Sequence, residues 1–353
     1  MIGHEQASAA WRVLRLAGGT ASEPDFGGAS WQVVLDVARR ERLAGVAWLR
    51  GGALVRRMAP TAVVGAWRQG VLTDADRADA QLRALDALLA RMRAVGVPPV
   101  VLKGAPLSVA LYGEPWARPC ADIDLFVPSA QRDAAHAVLV AGGWRHVGGT
   151  GAEEGVYCLG DAGRAMFLEV HSSLLDENML RHMELPEPMG EPALVGGAAV
   201  DAHGGALSLV FLAAHLAKHV RPPLLWWLDF ASSRRRAASE LATAERMADE
   251  LRLGRHLQWA HVGADAVDAA IASPEWEGTD AVSRLLEVTA EAPVQRLASL
   301  AATPLDRVRV RLAWVWPHSL RATPADFARW TLERGVRWGA RRVRALRRGP
   351  GNE

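Results

Sequence analysis

The chain has 353 residues, of which half are hydrophobic and 23% are charged, and its formal net charge is only +2. This is the composition of a folded protein that can bury a large core and hold two or three lobes. The near-neutral charge provides no general attraction for a long nucleic acid. Two cysteines are too few for a disulfide framework.

Neither a signal peptide nor a membrane span is expected. The N-terminus carries early charges and lacks a long apolar segment. The longest apolar stretches, such as ALSLVFLAAHLA, are shorter than the roughly 18 residues of a membrane-spanning helix. The sequence therefore predicts a soluble cytoplasmic protein that does not act at a membrane.

Residues 1–96 are predicted to form an N-terminal helical region. Apolar residues recur every three or four positions in WQVVLDVARRERL and DADRADAQLRALDALLARMRAVG, with charges between them. This is the period of an amphipathic helix. The second segment reaches Gly96, a residue type that commonly ends helices.

Residues 97–202 are predicted to form a mixed α/β core. Short apolar runs predict strands at VVL, CADIDLFVP, GVYCLG and RAMFLEVHSS. Helices are predicted for GAPLSVALYG and for SAQRDAAHAVLVAGG, the latter with Ser129 as its N-cap. The proline-containing MELPEPMGEPALVGG is interpreted as an extended connector or loop.

Residues 203–353 are predicted to be a second helical region. ALSLVFLAAHLAKHV is apolar on almost every side, which is typical of a buried helix. Further helical segments follow, up to an arginine-rich tail. The predicted fold class is therefore α+β, with a mixed sheet and its helices flanked by N- and C-terminal helical regions.

Two aspartates with one residue between them stand in the predicted strand ADIDLFV. Alternate side chains of a strand share a face, so Asp122 and Asp124 project together while Ile123 and Leu125 project to the other side. Such a pair needs a cation, because like charges raise each other's pKa. A hard divalent ion such as Mg²⁺ suits carboxylates and substrate phosphates.

A third carboxylate stands in the middle of the predicted strand MFLEVHSS. Glu169 shares a face with Phe167 and His171. A glutamate at mid-strand is costly to bury unless it faces a cation or a wet site. Together with the aspartate pair, it would complete a two-metal clamp for in-line phosphoryl or nucleotidyl displacement. The alternative is that Glu169 is a half-exposed strand residue with no role in a site.

The segment before the aspartates has the features of a phosphate-binding turn. Gly104 allows backbone N–H groups to approach an anion at a helix start, and Lys103 adds a positive charge. Arg118 lies four residues before Asp122, where it can reach a phosphate or pair with a carboxylate.

The string LKG…LY…R…DIDLFV, followed by LEVH, HLAKH and WWLDF, resembles the fifth, uncharacterised nucleotidyltransferase group of the DNA polymerase β-like superfamily. The resemblance spans about residues 98 to 235. It implies that Asp122, Asp124 and Glu169 hold two Mg²⁺ ions, and that Lys103 and Gly104 form the turn on the phosphate side. The chain has KGAPLS where better-known members have a Gly-Ser pair.

Three histidines have open interpretations. His215 and His219 lie four positions apart, on one face of the predicted buried helix. Together with His171 they suggest zinc, but the helix has no H-E-x-x-H glutamate and no nearby cysteine ligand. All three are assigned as candidate nucleotide- or acceptor-contacting residues. Hydrogen-bonded histidines of the core or of a lobe interface are the alternative.

The sequence predicts an Mg²⁺-dependent nucleotidyltransferase that uses a nucleoside triphosphate, with ATP as the first choice. The acceptor is expected to be a small molecule or a peptide rather than a long nucleic acid. Two alternatives stay open. One is a kinase-like phosphotransferase that uses the same metal site, and the other is a non-catalytic module that binds a nucleotide or a peptide.

Overall fold

The computed structural model describes residues 4–148, 154–160, 165–172, 190–195, 198–203, 205–218, 222–251 and 253–273. All of them belong to one of the two structural units into which the chain divides. The helical segments predicted beyond residue 273 and the arginine-rich tail lie outside the described residues.

The described residues before the sheet are helical, as their periodicity predicts. The helices are α1 His4–Gly18, α2 Trp31–Arg40, α3 Ala44–Met58 and α4 Thr61–Ala94. α4 ends just before Gly96, which takes a positive φ of 76° and so turns the chain toward the sheet. The buried residues Leu85, Leu89 and Met92 form one stripe of α4. This stripe is part of the core beneath the sheet.

Seven strands of the described residues form one mixed sheet. They are β1 Val100–Val101, β2 Asp122–Phe126, β3 Arg145–Gly148, β4 Glu154–Leu159, β5 Met166–His171, β6 Gly190–Val195 and β7 Ala198–His203. Their spatial order is β3-β4-β5-β2-β1-β7-β6. β2 is parallel to β5, whereas β1 is antiparallel to β2 and parallel to β7. The α+β fold class is confirmed.

Two helices follow the first two strands. They are α5 Ala105–Tyr112 and α6 Arg132–Ala141. The prediction that Ser129 caps the second helix is wrong, because residues Ser129–Gln131 form a separate 3₁₀ turn. Pro128 precedes this turn with a φ of −52°, and the α-helix begins only at Arg132.

The central strands β2 and β5 have one apolar face and one polar face. Ile123 and Leu125 of β2 and Leu168 and Val170 of β5 are at most 6% exposed and belong to the core that includes the α4 stripe. The alternate side chains project to the opposite face of the sheet. That face carries the predicted site residues Asp122, Asp124, Glu169 and His171.

The end of the predicted connector is a strand, which corrects the sequence-based interpretation. β6 pairs antiparallel with β7, and β7 pairs with β1. The glycine and proline of GEPALV and the alanines of AAVDAH disfavour a strand on propensity alone. β6 is at the edge of the sheet, where proline is tolerated because one side of the strand needs no ladder partner.

The described residues after the sheet are again helical. The helices are α7 Gly205–Lys218, α8 Leu224–Arg236, α9 Leu241–Glu250 and α10 Gly254–Ala272. α8 buries Trp227 and Phe230 completely. α10 approaches it closely at Gly263, where an added Cβ would lie 2.0 Å from the Trp227 ring. Among the described residues, none of the helices combines the length and the apolar character that crossing a membrane requires.

Candidate active site

The predicted phosphate-side turn lies between β1 and α5. Gly104 has φ 83° and ψ −130°, a conformation that residues with a side chain rarely adopt. The chain therefore reverses at this glycine and enters α5, whose first hydrogen bond joins the Ser108 N–H to the Gly104 carbonyl. Lys103 immediately precedes the turn, and its side chain is 15% exposed.

The parallel pairing of β2 with β5 brings the predicted carboxylates together. Asp124 lies opposite Glu169 in the register, and Asp122 lies opposite Phe167. Side chains at paired positions project to the same face of a sheet. The three carboxylates predicted from two separate sequence segments thus share one face of the sheet.

Asp124 is the most deeply buried member, with 2% of its surface exposed. Its Oδ1 lies 3.3 Å from Lys103 Nζ and 3.2 Å from His171 Nε2. Burial opposes ionisation of Asp124, but the His171 hydrogen bond and the Lys103 charge outweigh it and lower its pKa. Its Oδ2 is buried and has no hydrogen-bond partner within the described part of the chain.

His171 contacts both neighbouring carboxylates. Its Nε2 lies 3.5 Å from Glu169 Oε2, in addition to its contact with Asp124. Burial alone would lower the pKa of His171, but the hydrogen bonds to Asp124 and Glu169 raise it to about 9. The hydrogen bond between His171 and Glu169 is the main reason that the pKa of Glu169 is lowered. The two carboxylates therefore favour the protonated form of His171.

Asp122 has a different environment from Asp124. Its pKa is raised, first by burial and then by the negative charge of Asp124. The attraction of Lys103 only partly offsets these effects. Of the three carboxylates, Asp122 is therefore the one whose negative charge is least compensated by neighbouring residues.

The residues present fit a divalent metal ion. Carboxylate oxygens of Asp124 and Glu169 lie within 4.8 Å of each other, and a ring nitrogen of His171, which binds a metal only in its neutral form, lies within the same distance of both. Asp122 lies outside that group but on the same face of the sheet. Carboxylate oxygens are the donors that Mg²⁺ prefers, and the unpartnered Oδ2 of Asp124 supplies a buried acceptor that such an ion would satisfy.

A family model described as "Uncharacterised nucleotidyltransferase" matches residues 27–265, which is more than half of the 353-residue chain. The chain belongs to this family. The predicted family is therefore confirmed, and the protein is a nucleotidyltransferase.

Two solved structures resemble parts of the nucleotidyltransferase. The antibiotic-resistance factor ANT(2'')-Ia is 18% identical, and the alignment covers 52% of this chain and 95% of that one with a TM-score of 0.36. An antigenic nucleotidyltransferase-like protein from Paracoccidioides brasiliensis is 16% identical, with coverages of 49% and 89% and a TM-score of 0.33. The search of curated proteins found no match.

Arg118 of the nucleotidyltransferase forms a buried ion pair with Asp229 of α8. The Arg118 Nε donates to Asp229 Oδ2 at 2.7 Å, and the Tyr112 hydroxyl donates to Asp229 Oδ1 at 2.6 Å. Burial opposes the charge of Arg118, but Asp229 raises the pKa of the guanidinium above its ordinary value. The phosphate-binding role assigned to Arg118 stays a prediction, and its observed partner is a carboxylate.

His215 lies in α7 among aromatic rings. Its ring centroid is 4.6 Å from that of Trp226 in α8 and 6.0 Å from that of Phe211. These contacts pack the two helices together. A contact of His215 with nucleotide or acceptor stays a prediction, and His219 lies outside the described residues.

The contact of α5 and of the segment before β2 with α8 was not predicted from the sequence. Its residues stand in the motifs LY and WWLDF, which the resemblance singled out. The signal in the sequence was an aspartate within the apolar run WWLDF, because a buried carboxylate requires a cation or hydrogen-bond donors.

Proposed function

We propose that this nucleotidyltransferase transfers a nucleoside monophosphate group from a nucleoside triphosphate, ATP in the first instance, to a hydroxyl or similar nucleophile. The acceptor is a small molecule or a peptide, and pyrophosphate is released. The observation that carries the proposal is the pairing of Asp124 with Glu169 across parallel strands, beside Asp122. The buried, unpartnered Oδ2 of Asp124 supports a metal at this point.

The three carboxylates have distinct roles in this proposal. Asp122 and Asp124 would hold two Mg²⁺ ions, and Glu169 would hold the ion on the acceptor side. Bound Mg²⁺ would neutralise charge on the attacking and leaving oxygens. The acceptor oxygen attacks the α-phosphorus, and the bond between the α-phosphorus and the leaving pyrophosphate breaks. Glu169 is the group proposed to take the acceptor proton.

Lys103 and Gly104 are proposed to bind the triphosphate. The Lys103 ammonium lies 3.3 Å from Asp124 Oδ1 and its flexible side chain can turn from the carboxylate to a phosphate oxygen. Gly104 follows Lys103 directly and precedes the first turn of α5. His171 borders the same carboxylates, so we propose that it contacts the metal-bound nucleotide.

The reaction type is tested by following which phosphate is transferred. The purified protein is incubated with Mg²⁺, cell extract, and ATP labelled at either the α- or the γ-phosphate, and modified acceptors are identified by mass spectrometry. Transfer of the α-label supports the proposal. Transfer of the γ-label alone indicates a phosphotransferase, and nucleotide binding without transfer of either label indicates a non-catalytic module. The Asp124→Asn variant serves as the inactive control.

A further inference from the structure

Tyr112, Arg118 and Asp229 form a buried cluster that we call the α8 clamp. Their exposed fractions are 8%, 6% and 1%. Both oxygens of Asp229 are used, one by the Tyr112 hydroxyl and one by the Arg118 guanidinium. The clamp therefore ties α5 and the segment before β2 to a single carboxylate on α8.

Cys120 connects the α8 clamp to strand β2. Arg118 Nη1 donates to Cys120 Sγ at 3.2 Å, and Cys120 stands two residues before Asp122. The carbonyl of Cys120 accepts a hydrogen bond from Gln81 of α4 at 3.3 Å. The short segment that leads into β2 is thus fixed from two sides.

The same segment borders the phosphate-side turn. A Cβ added to Gly104 would lie 3.5 Å from Cys120 Sγ, so the two stretches of chain are in close contact. The Arg118 N–H donates to Ser108 Oγ at 3.0 Å, and this hydroxyl donates to the Glu114 carbonyl at 2.6 Å. The position of Arg118 therefore affects both the start of β2 and the turn that follows Lys103.

Stability is a poor explanation for a buried ion pair of this kind. Removing two charges from water costs several kcal/mol per ion, which the attraction between them often only offsets. Groups behind a metal ligand have another recurrent effect, since they hold the ligand in the orientation that binding requires.

We propose that Asp229 is a positioning residue for the active site, acting through Arg118 and Cys120 on Asp122 and on the Gly104 turn. This inference rests on the proposed function of the acidic face as a metal–nucleotide site. It makes α8 a part of the catalytic apparatus, although none of its residues is assigned to touch the substrate.

The test compares two buried Arg–Asp pairs of the same chain. Arg15 Nε lies 2.9 Å from Asp25 Oδ2, with side-chain exposures of 8% and 3%, and its other hydrogen bonds go to carbonyls of Thr20, Ile271 and Ser273. Asp25→Asn is therefore the matched control for Asp229→Asn. A double variant, Arg118→Met with Asp229→Leu, removes both charges so that no unpaired charge stays buried.

Two readouts on the folded protein separate positioning from stability. The first is the Mn²⁺ affinity without nucleotide, measured by titration at a temperature at which every variant is still folded. The second is the rate at which iodoacetamide labels Cys120 relative to Cys158, a buried cysteine in β4. We expect Asp229→Asn and the double variant to weaken Mn²⁺ binding about tenfold, and Asp229→Asn, which keeps Arg118 beside the thiol, to raise the Cys120 to Cys158 labelling ratio. Asp25→Asn should change neither.

The result that overturns the inference is a folded double variant with the Mn²⁺ affinity of the wild type, or a folded Asp229→Asn variant with the wild-type Mn²⁺ affinity and labelling ratio. Equal changes in the Asp25→Asn control would also overturn it, because they would show a general loss of stability. Neither readout depends on transfer. If the wild type transfers no α-label, the proposed function fails, while the Mn²⁺ and labelling measurements still decide the role of Asp229.

Discussion

Replacing Asp124 by asparagine should destabilise the protein, whereas replacing Asp122 should not. Like-charge repulsion along the strand would predict that both variants keep their stability. The structure separates the two positions, because Asp124 holds Lys103 and His171 while Asp122 is a carboxylate whose pKa is raised by burial and by Asp124.

The magnitude follows from the two contacts of Asp124. A hydrogen bond to a charged group contributes about 1.5–3 kcal/mol and a neutral one about 0.5–1.5 kcal/mol. Asparagine keeps an acceptor of the same shape but loses the charge, so two weakened contacts cost about 2 kcal/mol. This is less than the roughly 3–5 kcal/mol for breaking a fully buried pair, because the Lys103 and His171 side chains are 15% and 19% exposed.

The assay is urea unfolding of the wild type and both variants without metal, in which a change in midpoint at constant slope reports stability. We expect Asp122→Asn to unfold at the wild-type urea concentration or above it, and Asp124→Asn to unfold below it. Both variants should lose Mn²⁺ binding and nucleotidyl transfer. Equal unfolding midpoints for the two variants would refute the reasoning, since they would mean that Asp124 does not hold the two cations.

Three further outcomes are expected. Gly104→Ala should lower the free energy of unfolding by about 1–3 kcal/mol, because alanine is strained at a φ of 83°. Gly65→Ala meets open space within α4 and should raise it by up to about 1 kcal/mol. Urea unfolding with no difference between the two variants would contradict this. Lys103→Ala should raise the Kd for ATP–Mg²⁺ about tenfold, or 1.4 kcal/mol, and an unchanged Kd in calorimetric titration would remove Lys103 from the phosphate site. Burial and Arg234 lower the pKa of His261 from 6.5, so on acidification the unfolded chain binds a proton at His261 before the folded chain does, and this lowers stability as the pH drops below 6.5. His261→Gln should therefore lose less stability than the wild type between pH 7 and 5. Equal stability profiles over this pH range would argue against the effect.

Alternation within single strands was the most informative feature of the sequence. It placed Asp122 and Asp124 on one face and the core residue Leu125 on the other, as the pairing of β2 confirms. The role of His171 was less accessible. Its position two residues after Glu169 predicted a shared face, but its contact with Asp124 depends on a parallel strand 47 positions away in the chain.

Two features escaped the sequence for physical reasons. β6 and β7 lack the β-branched runs that mark strands, and they form because pairing with β1 and with each other overrides weak local propensity. The Arg118–Asp229 pair joins residues 111 positions apart. Periodicity reports which face of an element is buried, but it does not report which distant charge that face meets.

The parallel register of β2 and β5 also limits how this chain can tolerate changes in length. Inserting or deleting one residue within either strand would exchange its two faces, which would turn Asp124 or Glu169 into the core and a leucine or valine toward solvent. The turn Ser129–Gln131 and residues 142–144, on either side of α6, have no such parity to preserve. Deletion scanning should therefore find tolerated sites in these two connections and almost none inside β2 and β5, so that libraries which vary length belong in the connections.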